Sequence, residues 1–91
     1  MNFDIKSNEI CFYNEQKEKL AYVMFSNVNE STVLVTTTFV SDVLRGQGVA
    51  SKLMEALYDE LKRTNRKAIL KCSYAVNWFE KHQDKQDIIC K

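Results

Sequence analysis

The chain has 91 residues, of which 45% are hydrophobic and 27% charged, and it carries 13 Lys and Arg against 12 Asp and Glu. This length predicts one domain over residues 1–91, and the composition is that of a folded globular protein rather than a disordered one. The balanced charge creates no overall field that would attract nucleic acid or an anionic membrane, so neither is expected as a partner. Any anion site must therefore be local.

The three cysteines, Cys11, Cys72 and Cys90, are odd in number and form no CxxC pair. The N-terminus lacks a secretory n-region and h-region, and no apolar run approaches the ~20 residues that span a bilayer. These features favour free thiols in a reducing, cytoplasmic environment, and no metal site is expected.

The first forty residues read as strands. A weak edge strand is expected at NFDI near the start, while EICFYN (9–14) and LAYVMFS (20–26) predict a hairpin. STVLVTTTFV (31–40) is almost wholly β-branched. Such residues pack well on a pleated surface but lose rotamer freedom in a helix. This segment is predicted to be the longest strand.

The period of the apolar residues then changes to that of a helix. Spacings of three and four predict an amphipathic helix from about Gln47 to Thr64. KAILKCS (67–73) predicts a buried strand, although so short an apolar run is also compatible with a helix, and YAVNWFEKH (74–82) predicts a second helix. The order predicts an α+β or mixed α/β domain whose last strand runs parallel to the long strand through a right-handed crossover. The apolar face of the first helix comprises Val49, Leu53, Ala56, Leu57 and Leu61.

The chain's only two glycines, Gly46 and Gly48, lie between the long strand and the first helix. Such a loop can bind phosphate, because bare backbone approaches the ligand and the first helical N–H groups lack partners at the positive end of the dipole. Alternatively, the glycines only permit a tight turn. The Walker pattern is absent, and Ser51 occupies the position of the third glycine in a dinucleotide fingerprint. ATP and NAD are therefore disfavoured.

The segment RGQGVA has the pattern [QR]xxGx[GA] at Arg45, Gly48 and Ala50. It resembles the acyl-CoA pyrophosphate loop of the GNAT acyltransferase superfamily, in which the same order of elements surrounds the loop. A second segment, CSYAVNWFEKH, is similar to the superfamily's second CoA-side segment. Together, LRGQGVASKL, CSY and a His ten residues after the Cys look like a family of very small, stand-alone GNAT-like proteins. The resemblance covers roughly residues 33–82.

The resemblance implies a GNAT-like fold, with a central, mostly antiparallel sheet of about five strands and two or three helices, truncated at the C-terminus. It implies acetyl-CoA as cofactor, with the pyrophosphate against the loop and the pantetheine arm in the split between the long strand and KAILKC. The expected CoA-binding residues are Phe39, Val40, Arg45, Gly46, Gln47, Gly48, Val49, Ala50 and Ser51.

The groups expected for the transfer step depart from the superfamily's pattern. The long strand offers only threonines at 36–38 where many members have Glu, and Phe79 occupies the position of the Tyr that serves as acid. Cys72 stands where the superfamily usually has Asn, and it is the predicted catalytic residue. Three roles remain open for it: a thiolate that takes the acetyl group, an acid beside the CoA sulfur, and a packing residue. His82 has two possible roles: it is a general base if the last helix folds back, or a solvated surface residue.

The expected function is therefore acetyl transfer from acetyl-CoA to an unidentified amine, by a monomer or a homodimer. Full-sized relatives continue into two more strands, whereas nine residues follow FEKH here, so the acceptor groove is expected to be open or completed by a second subunit. The alternative is a CoA-binding module with little or no transferase activity, which the missing Glu and Tyr favour. A nucleic-acid or other interaction domain built on the basic cluster is disfavoured, because those charges complement a helix dipole. The cluster comprises Lys62, Arg63, Arg66 and Lys67.

Overall fold

The computed structural model describes residues 2–90, which form five strands, two α-helices and two short 3₁₀ segments. Within this range, no helix combines the length and the apolar character needed to cross a lipid bilayer. The strands are β1 (Asp4–Ile5), β2 (Glu9–Tyr13), β3 (Lys19–Asn29), β4 (Thr32–Val40) and β5 (Lys67–Leu70); the helices are α1 (Val49–Arg63) and α2 (Ser73–Glu80); the 3₁₀ segments are Asp42–Leu44 and Gln83–Ile88.

The strands form one sheet in the order β1-β2-β3-β4-β5. The first three pairings are antiparallel, and β4 pairs with β5 in parallel, with α1 in the connection between them. The chain is therefore an α+β fold with a mixed, mostly antiparallel five-stranded sheet. This confirms the predicted fold class, the predicted hairpin of β2 and β3, and the parallel last strand.

The longest strand is β3, with 11 residues against 9 in β4, so the prediction for the β-branched segment was wrong in this respect. β3 continues through the polar residues 27–29, and Asn29 pairs with Thr32 across a two-residue turn. The side chain of Asn29 accepts a hydrogen bond from the Ser31 amide at 2.9 Å, which fixes this turn. Pairing with β4 satisfies the backbone of β3 here, although the side chains are exposed.

Both helices pack on one face of the sheet. Alternate strand residues such as Val23 and Val33 point to this face and are fully buried. The strand β5 was predicted to be buried, but only Ala68 is, whereas Ile69 on the opposite face is 39% exposed. Neither α1 nor α2 covers the other face of the sheet, on which Met24 and Ile69 are exposed. The core residues contributed by the helices are Val49, Leu53, Met54, Leu57, Leu61, Ala75, Trp78 and Phe79.

The element boundaries differ from the predicted ones at the loop and after β5. Helix α1 begins at Val49 rather than Gln47, because Gly48 is a left-handed N-cap residue that cannot belong to the helix. The strand β5 ends at Leu70, and the segment predicted as its end instead starts α2, with Cys72 as the N-cap. Both shifts concern the residues of the candidate site.

Candidate functional site

The loop before α1 presents the backbone amides of the helix without a cap. Gly46 and Gly48 have φ values of +83° and +70°, which side chains rarely adopt and which glycine adopts readily. No side chain caps the helix at Gly48, and its first turn has no acidic residue. Helices usually begin with a Ser, Thr, Asp or Asn whose side chain accepts hydrogen bonds from these amides. The first turn of α1 is therefore open to an external anion.

The space beside both glycines is also open. A Cβ atom added to Gly46 or Gly48 would meet no protein atom within 4 Å. The positive φ values favour glycine, whereas packing within the chain does not require it. A ligand can therefore approach the loop backbone directly.

The loop forms one wall of a cavity of about 530 Å³, whose other walls come from the end of β4 and the start of α2. All the predicted CoA-binding residues line it except Phe39 and Gln47. Three residues that were not predicted also line it, namely Thr38, Leu44 and Tyr74. Thr38 could have been found from strand alternation, since it shares a face with Val40. The lining comprises Thr38, Val40, Leu44, Arg45, Gly46, Gly48, Val49, Ala50, Ser51 and Tyr74.

Two of the predicted residues have side chains directed elsewhere. The ring of Phe39 stacks on Tyr22 at 5.3 Å on the opposite face of the sheet, which leaves only its backbone near the cavity edge. The Nε atom of Arg45 lies 2.8 Å from Oδ1 of Asp42, and both side chains are largely exposed. Arg45 thus lines the cavity, while its guanidinium forms an ion pair with Asp42.

The sheet opens between β4 and β5 beyond Val35. Val35 pairs with Leu70, and its carbonyl accepts hydrogen bonds from the amides of Lys71 and Cys72 at 2.9 and 3.1 Å. In the pairing with β3, Thr36 is an extra residue, because Phe25 pairs with Val35 and Met24 with Thr37. Such a bulge bends a strand. From residue 36 onward, the described part of β5 supplies no partner for this edge of β4.

Cys72 lies at the point where the two strands separate. Sγ lies 3.4 Å from Oγ1 of Thr38 across the opening: the neutral thiol donates to the hydroxyl oxygen, and the hydroxyl can donate to the sulfur when Cys72 is a thiolate. Partial burial raises the pKa of the thiol, but the Thr38 hydroxyl and the backbone amides of Ala75, Tyr74 and Thr38 together hold the pKa below that of an ordinary cysteine. No cap hydrogen bond joins Sγ to the first turn of α2, so these amides act mainly as oriented dipoles. The thiolate is therefore more accessible at Cys72 than at an ordinary cysteine.

We expect Thr38→Val to raise the pKa of Cys72. The substitution keeps the shape of the side chain but removes the hydroxyl that stabilises the thiolate. The rate of alkylation by iodoacetamide, measured against pH in a Cys90→Ser background, should reach its midpoint at higher pH. Thr37→Val is the matched control, because Thr37 pairs with Met24 on the opposite face. An unchanged midpoint in Thr38→Val would show that the hydroxyl does not tune the thiol.

Neither Phe79 nor His82, the other positions considered for acid–base chemistry, lines the cavity. Phe79 is 1% exposed and belongs to the core, so no proton donor replaces the Tyr of the superfamily at this position. The ring of His82 stacks on Trp78 at 3.8 Å, and Nδ1 donates to the Trp78 carbonyl at 2.7 Å. The phenol of Tyr74 does line the cavity, and partial burial raises its pKa, so it retains its proton at neutral pH.

Known proteins resemble this chain in both sequence and fold. A sequence model of the GCN5-related N-acetyl-transferase family matches residues 9–88. The chain is 29% identical to a GCN5-like protein from Staphylococcus aureus whose solution structure was determined by NMR, with a TM-score of 0.78 over 98% of this chain and 87% of that one. No sequence among the curated proteins matches the chain.

Larger acetyltransferases share the fold at lower identity. Tetrahymena GCN5 has a TM-score of 0.66 at 15% identity, over 91% of this chain and 59% of its own. A GNAT family N-acetyltransferase from Escherichia coli, solved in complex with CoA, has a TM-score of 0.63 at 20% identity, over 76% of this chain and 42% of its own. The chain thus spans about half the length of these enzymes. Because the family's sequence model matches most of the chain, the chain belongs to the GCN5-related N-acetyltransferase family.

Proposed function

We propose that the protein is an acetyl-CoA-dependent N-acetyltransferase that binds the CoA pyrophosphate at the loop 45–51. The uncapped first turn of α1, which opens onto the cavity beside two glycines of positive φ, carries this proposal. Amides of this turn would donate to phosphate oxygens, and the helix dipole would favour the negative charge. The family membership and the CoA complex of the Escherichia coli relative support the choice of ligand.

The pantetheine arm of CoA would lie along the unpaired edge of β4. Beyond Val35 the backbone groups of Thr38 and Val40 face this edge, whereas those of Phe39 face Tyr22 in β3. Amide-bearing chains bind such edges as an added strand would. The arm would run from the loop towards Cys72, which ends the opening between the strands. A backbone N–H of β4 could then polarise the thioester carbonyl.

Cys72 would carry the acetyl group in this proposal. Its thiolate would attack the carbonyl carbon of the thioester, the new S–C bond would form as the bond to the CoA sulfur breaks, and CoA would leave as a thiol after taking up a proton. Tyr74 is the proton donor that the cavity offers for this step. A neutral amine would then attack the acetylated Cys72: the N–C bond forms as the bond to Sγ breaks, the Cys72 thiolate leaves, and the proton of the amine passes to the Tyr74 phenolate left by the first step.

A CoA-binding module with little or no transferase activity is the second candidate. Two observations favour it: β4 has threonines at 36–38 in place of a Glu, and Phe79 is buried in the core. The cavity lining contains no carboxylate and no imidazole that could accept a proton from an amine. This candidate keeps the same ligand site and differs only in the chemistry at Cys72.

Titration of ¹⁵N-labelled protein with CoA tests the ligand site. We expect the largest amide shifts in residues 45–51, which face the pyrophosphate, and further shifts in residues 36–40. Acetylpantetheine, which lacks the pyrophosphate and the nucleotide, is the matched probe. It should shift residues 36–40 but leave the loop unchanged.

Shifts confined to the basic segment 62–67 would contradict the proposed site. Enzyme activity is measured separately, as release of the CoA thiol in the presence of a panel of amines. Binding of CoA without turnover on any amine would favour the second candidate.

A further inference from the structure

The indole of Trp78 joins α2 to the first turn of α1. Its Nε1–H donates to Oγ of Ser51 at 2.8 Å, across 27 positions of sequence. Trp78 is the only tryptophan in the chain and is 6% exposed, whereas Ser51 lines the cavity at the loop. A buried side chain of the core thus contacts the candidate pyrophosphate site directly.

This hydrogen bond determines what the Ser51 hydroxyl can do. An indole N–H is a donor only, whereas a hydroxyl has one donor hydrogen and two acceptor lone pairs. Because Trp78 occupies a lone pair of Oγ, the hydroxyl hydrogen is left to point away from the indole. Among residues 2–90, the Ser51 hydroxyl makes no side-chain hydrogen bond other than the one it accepts from Trp78. Its own hydrogen is therefore available to an acceptor in the cavity.

We propose that Trp78 is a positioning residue, which orients the Ser51 hydroxyl to donate to the pyrophosphate of CoA. The inference rests on the proposed function, since it concerns the same loop. Accepting a hydrogen bond from the indole also polarises the hydroxyl, and this strengthens the bond that it donates. Trp78 touches no ligand itself and acts through Ser51.

The indole is held rigidly enough for this role. Phe79 packs edge-on against it, with ring centroids 4.9 Å apart, and His82 stacks on its face at 3.8 Å. The Nδ1–H of His82 donates to the carbonyl of Trp78, which ties the stacked ring to the same residue. The orientation of Nε1 is thus fixed by the fold before a ligand binds, so binding need not restrict it.

A purely structural role for the same bond would be to satisfy a buried indole N–H. The two roles are separated by comparing CoA with acetylpantetheine as the ligand. A structural role predicts lower stability with no ligand dependence. A positioning role predicts a loss that appears with CoA and is absent with acetylpantetheine, which has no pyrophosphate.

The test uses Trp78→Phe, which keeps an aromatic ring but removes the N–H, and Ser51→Ala, which removes its partner. We expect each to raise the Kd for CoA about fivefold to tenfold and to leave the Kd for acetylpantetheine unchanged. The double variant should lose no more affinity for CoA than the weaker-binding single variant, because both substitutions remove the same hydrogen bond. Ser51→Thr, which keeps a hydroxyl, should restore most of the affinity.

Equal affinity of wild type and Ser51→Ala for CoA would overturn the inference, and this variant keeps the test decisive if Trp78→Phe does not fold. Equal losses with CoA and with acetylpantetheine would also overturn it. Failure of the wild-type protein to bind CoA would instead contradict the proposed function, so the two failures are distinguishable.

Discussion

Replacing Gly48 with asparagine should raise the Kd for CoA at least about tenfold, which corresponds to about 1.4 kcal/mol, while the unfolding temperature changes little. Asparagine tolerates the left-handed conformation better than most residues, so φ of +70° is accessible to it. A Cβ at this position meets no protein atom within 4 Å. The added side chain would instead fill the space through which a phosphate oxygen must approach the loop amides to about 3 Å.

The measurement combines isothermal titration with CoA and thermal unfolding of the same samples. Gly48→Ala is the informative contrast, because alanine should add a folding cost of about 1–2 kcal/mol at positive φ. Lys17→Asn is the matched control, since Lys17 has φ of 64° and lies in a turn outside the cavity lining. If Gly48→Asn bound CoA as the wild type does, the glycine would serve the turn alone.

Removal of the Cys72 thiol should have the second large effect. After incubation with acetyl-CoA, mass spectrometry should find an adduct of about 42 Da on Cys72 in the wild-type protein. Cys72→Ala should form no adduct at this position, and its turnover on an accepted amine should fall at least about a hundredfold, as expected when a covalent nucleophile is lost.

Cys90→Ser is the control for non-specific acylation, because Cys90 is an exposed thiol outside the cavity lining. It should retain both the adduct on Cys72 and full turnover. The other roles considered for Cys72 give different results. Turnover that survives in Cys72→Ala, with no adduct in the wild type, would mean that the thiol only packs. A loss of turnover without any adduct would favour an acid over a nucleophile.

Local sequence patterns predicted most of the fold. The β-branched run, the spacing of apolar residues after Gly48 and the resemblance of RGQGVA to a CoA loop were enough for the fold class and the family. These signals act over a few neighbouring residues: rotamer freedom distinguishes strand from helix, and positive φ favours glycine. The sequence also indicated Cys72 as the candidate catalytic residue, and its role stays a prediction.

The contacts that define the site were decided by the tertiary structure. The Cys72–Thr38 bond spans 34 positions and the Trp78–Ser51 bond spans 27, and no periodicity indicates either of them. The bulge at Thr36 depends on register with β3, and the exposure of Ile69 depends on which face the helices cover. Sequence determines the conformations that each segment prefers, whereas the pKa of a thiol or the direction of a hydroxyl depends on groups that meet only when those segments pack together.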